Sequence, residues 1–169
     1  MYVSEFADAY EDMAPVRDAA LTTPVRELML RAPLIVDADT PAVAVVDAMN
    51  DRHTGCALVQ KEGALVGIFT ERDVLRRLIF REGNRSWTIE SVMTPRPETL
   101  PPDATIAFAL NKMSVDGYRH IPIVDDDDKP LGVVSIKDIV DYVVDFFPDD
   151  ILNLPPDPDL AHARSFDGG

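Results

Sequence analysis

The stretch GIFTERD at residues 67–73 returns as GVVSIKD at residues 132–138. Both stretches read glycine, two apolar residues, a hydroxyl residue, two variable residues and an aspartate. The match continues upstream, where DADTPAVAVVDAM at 37–49 aligns with PPDATIAFALNKM at 101–113 at a spacing of 64. A self-match of this length indicates two copies of one structural unit.

Each copy predicts the same order of elements: strand, helix, strand, strand, helix. A short apolar run opens each copy, at 34–36 in the first and at 99–100 in the second. A second helix is predicted to begin at the hydroxyl residue of the repeated motif. The paired strands between the two helices are predicted at 56–59 and 65–70 in the first copy and at 120–124 and 131–135 in the second.

The first helix of each copy has an apolar face at helical spacing. Thr40 is the expected N-cap of the first of these helices, with Pro41 at its first helical position. The residues expected to face the core are Val43, Val46 and Met49 in one copy and Ile106, Leu110 and Met113 in the other.

These elements predict how the chain is divided. The segment REGNRSWT has the composition of a linker, and the C-terminal segment is rich in Pro and Asp without a long periodic pattern. The predicted divisions are an N-terminal extension (1–22), a first motif (23–80), a linker (81–88), a second motif (89–147) and a tail (148–169).

Composition limits the partners of this chain. A formal charge of −14 repels nucleic-acid backbones and anionic membranes, so we expect neither as a partner. An anionic ligand would need a locally basic pocket. The N-terminus is acidic and lacks the apolar core of a secretory signal, and no run approaches about 20 apolar residues, so we expect a cytoplasmic protein.

The sequence also argues against an enzyme. The three histidines lack metal-ligand spacing, and no nucleophile motif or phosphate-binding glycine loop is present. Cys56 stands among apolar residues and is expected to be an inert core thiol. The four aspartates at 125–128 lack the spacing of a calcium loop and are expected to form a solvated turn. We therefore predict neither catalysis nor a metal site.

The repeated motif has two compatible interpretations. Thr70 and Asp73, three residues apart at a predicted helix start, form a capping box with Asp in place of the usual Glu or Gln. The same helix start offers free N–H groups to a phosphate, and the carboxylate offers two acceptor oxygens to the hydroxyls of a ribose. A capped helix end can also be a binding site.

The two copies differ just before the motif. The second has Arg119 and His120, two candidate cations, where the first has Gly55 and Cys56, and the first has Arg52 and His53 slightly earlier. Arg119 and His120 either bind phosphate or form ordinary ion pairs at a strand edge. This difference predicts that a phosphorylated ligand binds mainly beside Asp138.

The element order, the paired halves, the two motifs in register and the run RHIPIV before the second motif together resemble a tandem pair of CBS (cystathionine-β-synthase) domains over about residues 23–147. The resemblance implies an α+β (mixed α/β) fold of two β-α-β-β-α motifs, packed through their sheets in a pseudo-twofold pair. It also implies two clefts that take AMP, ADP, ATP or S-adenosylmethionine, with no covalent cofactor. The candidate ligand-binding residues are Ser135, Asp138, Arg119, His120, Pro122, Thr99, Lys137, Thr70, Arg72 and Asp73.

The family suggests a regulatory module that signals by a change of shape or partner, with an unidentified protein as its target. The alternative is a structural adaptor whose clefts are empty. A homodimer is expected, because each copy ends in a strongly apolar helix, VLRRLIF or IVDYVVDFF. Arg72 and Lys137 either point into the clefts or pair with nearby aspartates such as Asp141.

Overall fold

The computed structural model describes residues 14–29, 31–79 and 86–146. The predicted tail at 148–169, most of the linker and the first 13 residues lie outside the described residues.

The first half contains every element expected from the repeat. Helix α1 (Ala14–Thr22) and a 3-10 turn (Val25–Leu28) precede it. It then consists of β1 (Ile35–Asp37), α2 (Ala42–Asp51), β2 (Cys56–Lys61), β3 (Ala64–Thr70) and the helix α3 (Glu71–Asp73), which continues as a π-helical turn (Val74–Leu78). Strand β2 pairs with β1 in parallel and with β3 antiparallel.

Strand β4 (Thr94–Pro95) leads into the second half but pairs antiparallel with β3, so the first sheet has the order β1-β2-β3-β4. The second half then repeats the order of the first with α4 (Ile106–Asp116), β5 (His120–Val124), β6 (Pro130–Ser135) and α5 (Ile136–Val144), and β5 and β6 form a two-stranded antiparallel sheet. The strand predicted at 99–100 is a single parallel bridge from Leu100 to Ile123. The ladder stops there because Pro101 and Pro102 have no N–H to donate. The predicted fold class, mixed α and β with two repeated motifs, is otherwise confirmed.

Two details of helix α2 differ from the prediction. The helix begins at Ala42 with Pro41 in the N-cap position, so Thr40 does not cap it, and the Thr40 carbonyl instead accepts the N–H of Ile89 at 2.8 Å. Val43 is 38% exposed, whereas Ala42, Val45 and Met49 are buried. The sequence AVAVV is apolar all round, so its periodicity did not define one face.

In the second half the predicted helix face is correct. Ile106 and Met113 are buried in the core, and Leu110 packs against it half-buried. The cap of α4 is Thr105, whose hydroxyl accepts the N–H of Phe108 at 3.3 Å.

The two cores exchange short segments. Ile89, Val92 and Met93, which lead into the second half, pack in the core of the first. Val25 and Leu28, which lead into the first half, pack in the core of the second. The packing units therefore cross the predicted boundaries between the motifs.

In each half, the side chain of a methionine from an exchanged segment packs against a glycine of β3 or β6. A Cβ atom built on Gly67 would overlap the side chain of Met93, and one built on Gly132 would overlap that of Met29. Met29 and Met93 are themselves 64 positions apart, so the repeat extends to the way the halves interlock.

The halves also meet through their sheets, as expected. Cys56, Leu58 and Ile68 of the first sheet form a buried cluster, against which Val133 of β6 packs. The N–H of Leu65 donates to the carbonyl of Asp128 at 2.9 Å, which joins the turn before β6 to the edge of β3. The acidic segment 125–128 thus forms a turn, with Asp125 accepting two backbone N–H groups.

Candidate functional site

The second repeated motif forms a complete capping box around one oxygen of its carboxylate. Asp138 Oδ2 accepts the backbone N–H of Ser135 at 2.8 Å and its hydroxyl at 2.6 Å. Ser135 Oγ in turn accepts the N–H of Asp138 at 3.2 Å. Within the described residues, no donor reaches Asp138 Oδ1. The capping interpretation is therefore correct, and it leaves an acceptor available.

The first motif has the same capping box, but both oxygens of its carboxylate are engaged. Asp73 Oδ2 accepts the N–H and hydroxyl of Thr70 at 3.0 and 2.8 Å. Asp73 Oδ1 accepts the Thr94 hydroxyl at 3.3 Å and lies 3.5 Å from Arg77 Nε. Asp73 is only 6% exposed. This carboxylate is thus occupied within the protein.

Arg77 holds this arrangement in place. Its Nη1 donates to the carbonyl of Val92 at 3.2 Å and also to that of Met93. The guanidinium therefore joins the Asp73 carboxylate to the segment that crosses into the first core.

A cavity of about 500 Å³ opens beside Ser135 and Asp138, a volume typical of small-molecule sites. Its walls come from both halves and from the segment before β1. The lining residues are Leu28, Met29, Arg31, Ala32, Pro33, Leu34, Arg52, His53, Thr54, Gly55, Cys56, Glu71, Arg119, His120, Val133, Ser135, Ile136, Lys137, Asp138 and Asp141.

The cavity is more basic than the protein as a whole. Four Arg or Lys residues line it against three Asp or Glu residues, on a chain whose net charge is −14. Lys137 is paired with Asp141 at 2.5 Å, which is one of the two arrangements predicted for it. The cavity is thus a locally basic pocket, which an anionic ligand needs on a protein of this negative charge.

His120 does not supply a second cation in the empty cleft. Burial lowers the pKa of its imidazole, and the neighbouring charge of Arg119 lowers it further, against smaller opposing effects of Glu71 and Asp138. His120 is therefore mainly neutral at neutral pH and acts as a hydrogen-bonding group. Its ring closely approaches Gly55, where a Cβ would lie 3.3 Å from Nε2.

Cys56 lines the cavity floor without being reactive. Its side chain is 3% exposed, and burial, with smaller contributions from Asp138 and Glu71, raises its pKa to about 12. The thiol stays protonated at neutral pH, which agrees with the inert role expected of it.

Half of the predicted site residues meet at this cavity. Those that line it are Ser135, Asp138, Arg119, His120 and Lys137. Those that do not are Thr70, Arg72, Asp73, Thr99 and Pro122. Pro122 is fully buried in β5, where its carbonyl accepts the N–H of Leu100, and Thr99 is half-buried.

Two lining residues of the cavity were not predicted from the sequence, and two others were associated with the wrong motif. Arg31 and Glu71 line the cavity and were not predicted. Arg52 and His53, associated in sequence with the first motif, lie in the cleft of the second. The equivalence of the two copies could have indicated this placement. Cys56 pairs with Thr70 as His120 pairs with Ser135, so the loop before β2 and the loop before β5 occupy equivalent places in the two halves.

None of the helices in the described ranges is long and apolar enough to cross a bilayer.

The geometry defines a class of protein: two interlocked α+β repeats with a ligand-sized cleft between them. The CBS domain family model matches residues 25–79 and 89–145. The chain belongs to the CBS domain family and contains two CBS domains in tandem.

Known proteins resemble this chain in sequence and in fold. It is 33% identical over 112 residues to the CBS domain-containing protein CBSCBSPB5 of Arabidopsis thaliana. The match covers 66% of this chain and 20% of that protein. The chain thus spans about a fifth of this plant relative. The CBS domain of a membrane protein from Sphaerobacter thermophilus superposes with a TM-score of 0.68 at 27% identity, covering 82% and 96% of the two chains.

Two further solved structures contain ligands. A CBS domain protein from Pyrobaculum aerophilum, complexed with AMP, matches with a TM-score of 0.64 at 20% identity over 73% of this chain and 99% of that one. The CBS domain pair of protein MJ0100, in complex with 5′-methylthioadenosine and S-adenosyl-L-methionine, matches with a TM-score of 0.63 at 24% identity over 71% and 98%. At these identities the likeness shows the fold.

Proposed function

We propose that this chain is a regulatory CBS pair that binds an adenosine-containing ligand in the cleft beside Asp138. The observation that carries the proposal is Asp138 Oδ1, which no donor of the described residues reaches, at the wall of a cavity of about 500 Å³, while the other oxygen is held by the bonds from Ser135. Adenosine compounds in two CBS structures of the same fold support the choice of ligand.

The chemistry of the cleft suits a ribose with an anionic substituent. A carboxylate oxygen without a donor accepts a hydroxyl of the ribose diol in a charge-assisted hydrogen bond. Arg119, whose carbonyl accepts the N–H of Ile136 next to Ser135, lines the same cavity and supplies positive charge for a phosphate. AMP, ADP, ATP and S-adenosylmethionine are the candidate ligands.

Ligand binding would regulate by shifting the arrangement of the two halves. The cavity combines Thr54 and Glu71 of the first half with Ser135 and Asp138 of the second. A ligand that contacts both halves favours the arrangement in which both sets of contacts form. The change of arrangement would act on an unidentified protein target rather than on a reaction catalysed by this pair. We propose that the protein does so in the cytoplasm.

A homodimer is the assembly we propose. Leu75 and Ile79 on one half, and Val140 on the other, lie at the last helix of each half and are between 51% and 58% exposed. Residues 75 and 140 are equivalent in the repeat, so the two faces form similar apolar patches of the kind that mark interfaces. Light scattering at micromolar protein should give twice the mass of 18.7 kDa, and the monomer mass would contradict the proposal.

A thermal-shift screen with AMP, ADP, ATP, S-adenosylmethionine and NADH tests the function. We expect at least one adenosine compound to raise Tm, because a ligand that binds only the folded state stabilises it. The shift should disappear in Asp138→Asn, which keeps the shape of the side chain but removes its charge. If no compound shifts Tm, the adaptor role with an empty cleft is favoured instead.

A further inference from the structure

Three arginines in the cleft have no acidic partner among the residues that the structure describes. Arg31, Arg52 and Arg119 line the cavity, and within the described residues no ion pair or side-chain hydrogen bond engages their guanidinium groups. Elsewhere in the described residues, Arg26 is paired with Asp103 and Arg77 with Asp73, whereas Arg72, Arg76 and Arg96 also have no ion pair but lie outside this cavity. On a chain with 30 acidic residues, unpaired arginines that converge on one cavity require an explanation.

The three side chains come from separate parts of the fold. Arg31 precedes β1, Arg52 follows α2, and Arg119 precedes β5. Their approach to one cavity is thus a product of the tertiary structure and not of one basic run in the sequence. All three are exposed at the cavity rim, so each can reorient towards a ligand.

The repeat shows that this charge is particular to one cleft. The residues 64 positions away from Arg31, Arg52 and Arg119 are Pro95, Asp116 and Gly55. The structurally equivalent places in the other half thus have no cation and one carboxylate.

The remaining charges of the cavity compensate the three guanidiniums only in part. Lys137 and Asp141 neutralise each other, and Glu71 and Asp138 are the other acidic residues of the lining. Asp138 is held by Ser135, and in the proposed function it accepts the ribose. The carboxylates of Glu71 and Asp138 oppose the three guanidiniums, so the lining remains positive overall, which is an unfavourable setting for a sulfonium. Three Arg forks from separate segments can each bind a different phosphate group.

We infer that the cleft selects an adenosine polyphosphate, with ATP bound more tightly than AMP or S-adenosylmethionine. The inference rests on the proposed function for the ribose contact at Asp138. The specificity belongs to Arg31, Arg52 and Arg119, which bind the phosphates beyond the first.

Calorimetric titration of the full chain with ATP, ADP, AMP and S-adenosylmethionine at about 0.15 M ionic strength tests the selection, since bulk electrostatics are screened there. We expect ATP to bind at least about tenfold more tightly than AMP, as one additional charge-assisted hydrogen bond provides. Arg31→Gln, Arg52→Gln and Arg119→Gln should each weaken ATP binding by about tenfold, and at least two of them should change AMP binding by less than about threefold.

Arg76→Gln is the matched control, because Arg76 is an exposed helical arginine outside the cavity lining. It should leave both affinities unchanged. The inference is overturned if AMP or S-adenosylmethionine binds as tightly as ATP, or if the three cavity variants weaken ATP no more than Arg76→Gln does. Unchanged Tm values confirm that the variants fold.

Failure of the proposed function gives a different result. If no adenosine compound binds, or if binding survives Asp138→Asn, the ribose contact is wrong while the arginine cluster remains testable. Inorganic tripolyphosphate is then titrated directly. Binding that is lost in Arg52→Gln and kept in Arg76→Gln supports a polyphosphate site, and absence of binding overturns it.

Discussion

Replacing the two motif aspartates one at a time should separate stability from binding. Asp73 accepts two bonds from Thr70, a third from Thr94, and lies against Arg77, all at 6% exposure. Asp73→Ala removes the capping box, worth about 1 kcal/mol, and leaves the other two partners without an acceptor, for a total of about 2–3 kcal/mol. Tm should fall by about 5–10 °C.

Asp138→Ala should lower stability less than Asp73→Ala does and lower nucleotide affinity more. It loses only the capping box with Ser135, about 1 kcal/mol, so Tm should fall by about 2–4 °C. Loss of the charged acceptor for the ribose, at about 1.5–3 kcal/mol, should weaken nucleotide binding by about ten- to a hundredfold. Asp73→Ala, measured below its Tm, should change the affinity by less than about threefold.

Each variant serves as the control for the other, with ATP and AMP titrated by calorimetry and Tm taken from thermal unfolding. The reasoning is refuted if Asp73→Ala abolishes binding while Asp138→Ala leaves it intact. It is also refuted if the two variants lose equal stability, because the extra partners of Asp73 would then contribute nothing.

Three further outcomes are expected. Gly132→Ala should lower the free energy of unfolding by about 1–3 kcal/mol, since the new Cβ overlaps the Met29 side chain; an unchanged denaturant midpoint would contradict this. Nucleotide affinity should rise as pH falls from 8 to 6, because the pKa of His120 is lowered in the empty cleft and a bound phosphate raises it, so binding takes up a proton; His120→Gln should remove this part of the pH dependence, and a tighter complex at higher pH would overturn the assignment. Cys56, with a pKa of about 12, should react with iodoacetamide about a thousandfold more slowly than in the unfolded chain, and an equal rate would show that it is not buried.

Local patterns in the sequence determined the order of the elements and the chemistry of the motif. The repeat placed both capping boxes correctly, because a hydroxyl and a carboxylate three residues apart at a helix start meet through the geometry of one helical turn. Met49 and Met113 were correctly placed in the cores, as helical spacing requires. The contrast of Arg119 and His120 with Gly55 and Cys56 was also visible, since the copies align residue by residue.

The tertiary structure alone decided how that chemistry is distributed between the two copies. Thr94 and Arg77 engage the second oxygen of Asp73, whereas nothing in the described residues engages that of Asp138. Arg52 lies across the interface in the cleft of the other half. Such placements depend on the packing of segments far apart in the chain, and the spacing of residues along one copy contains no information about what the other copy brings against it.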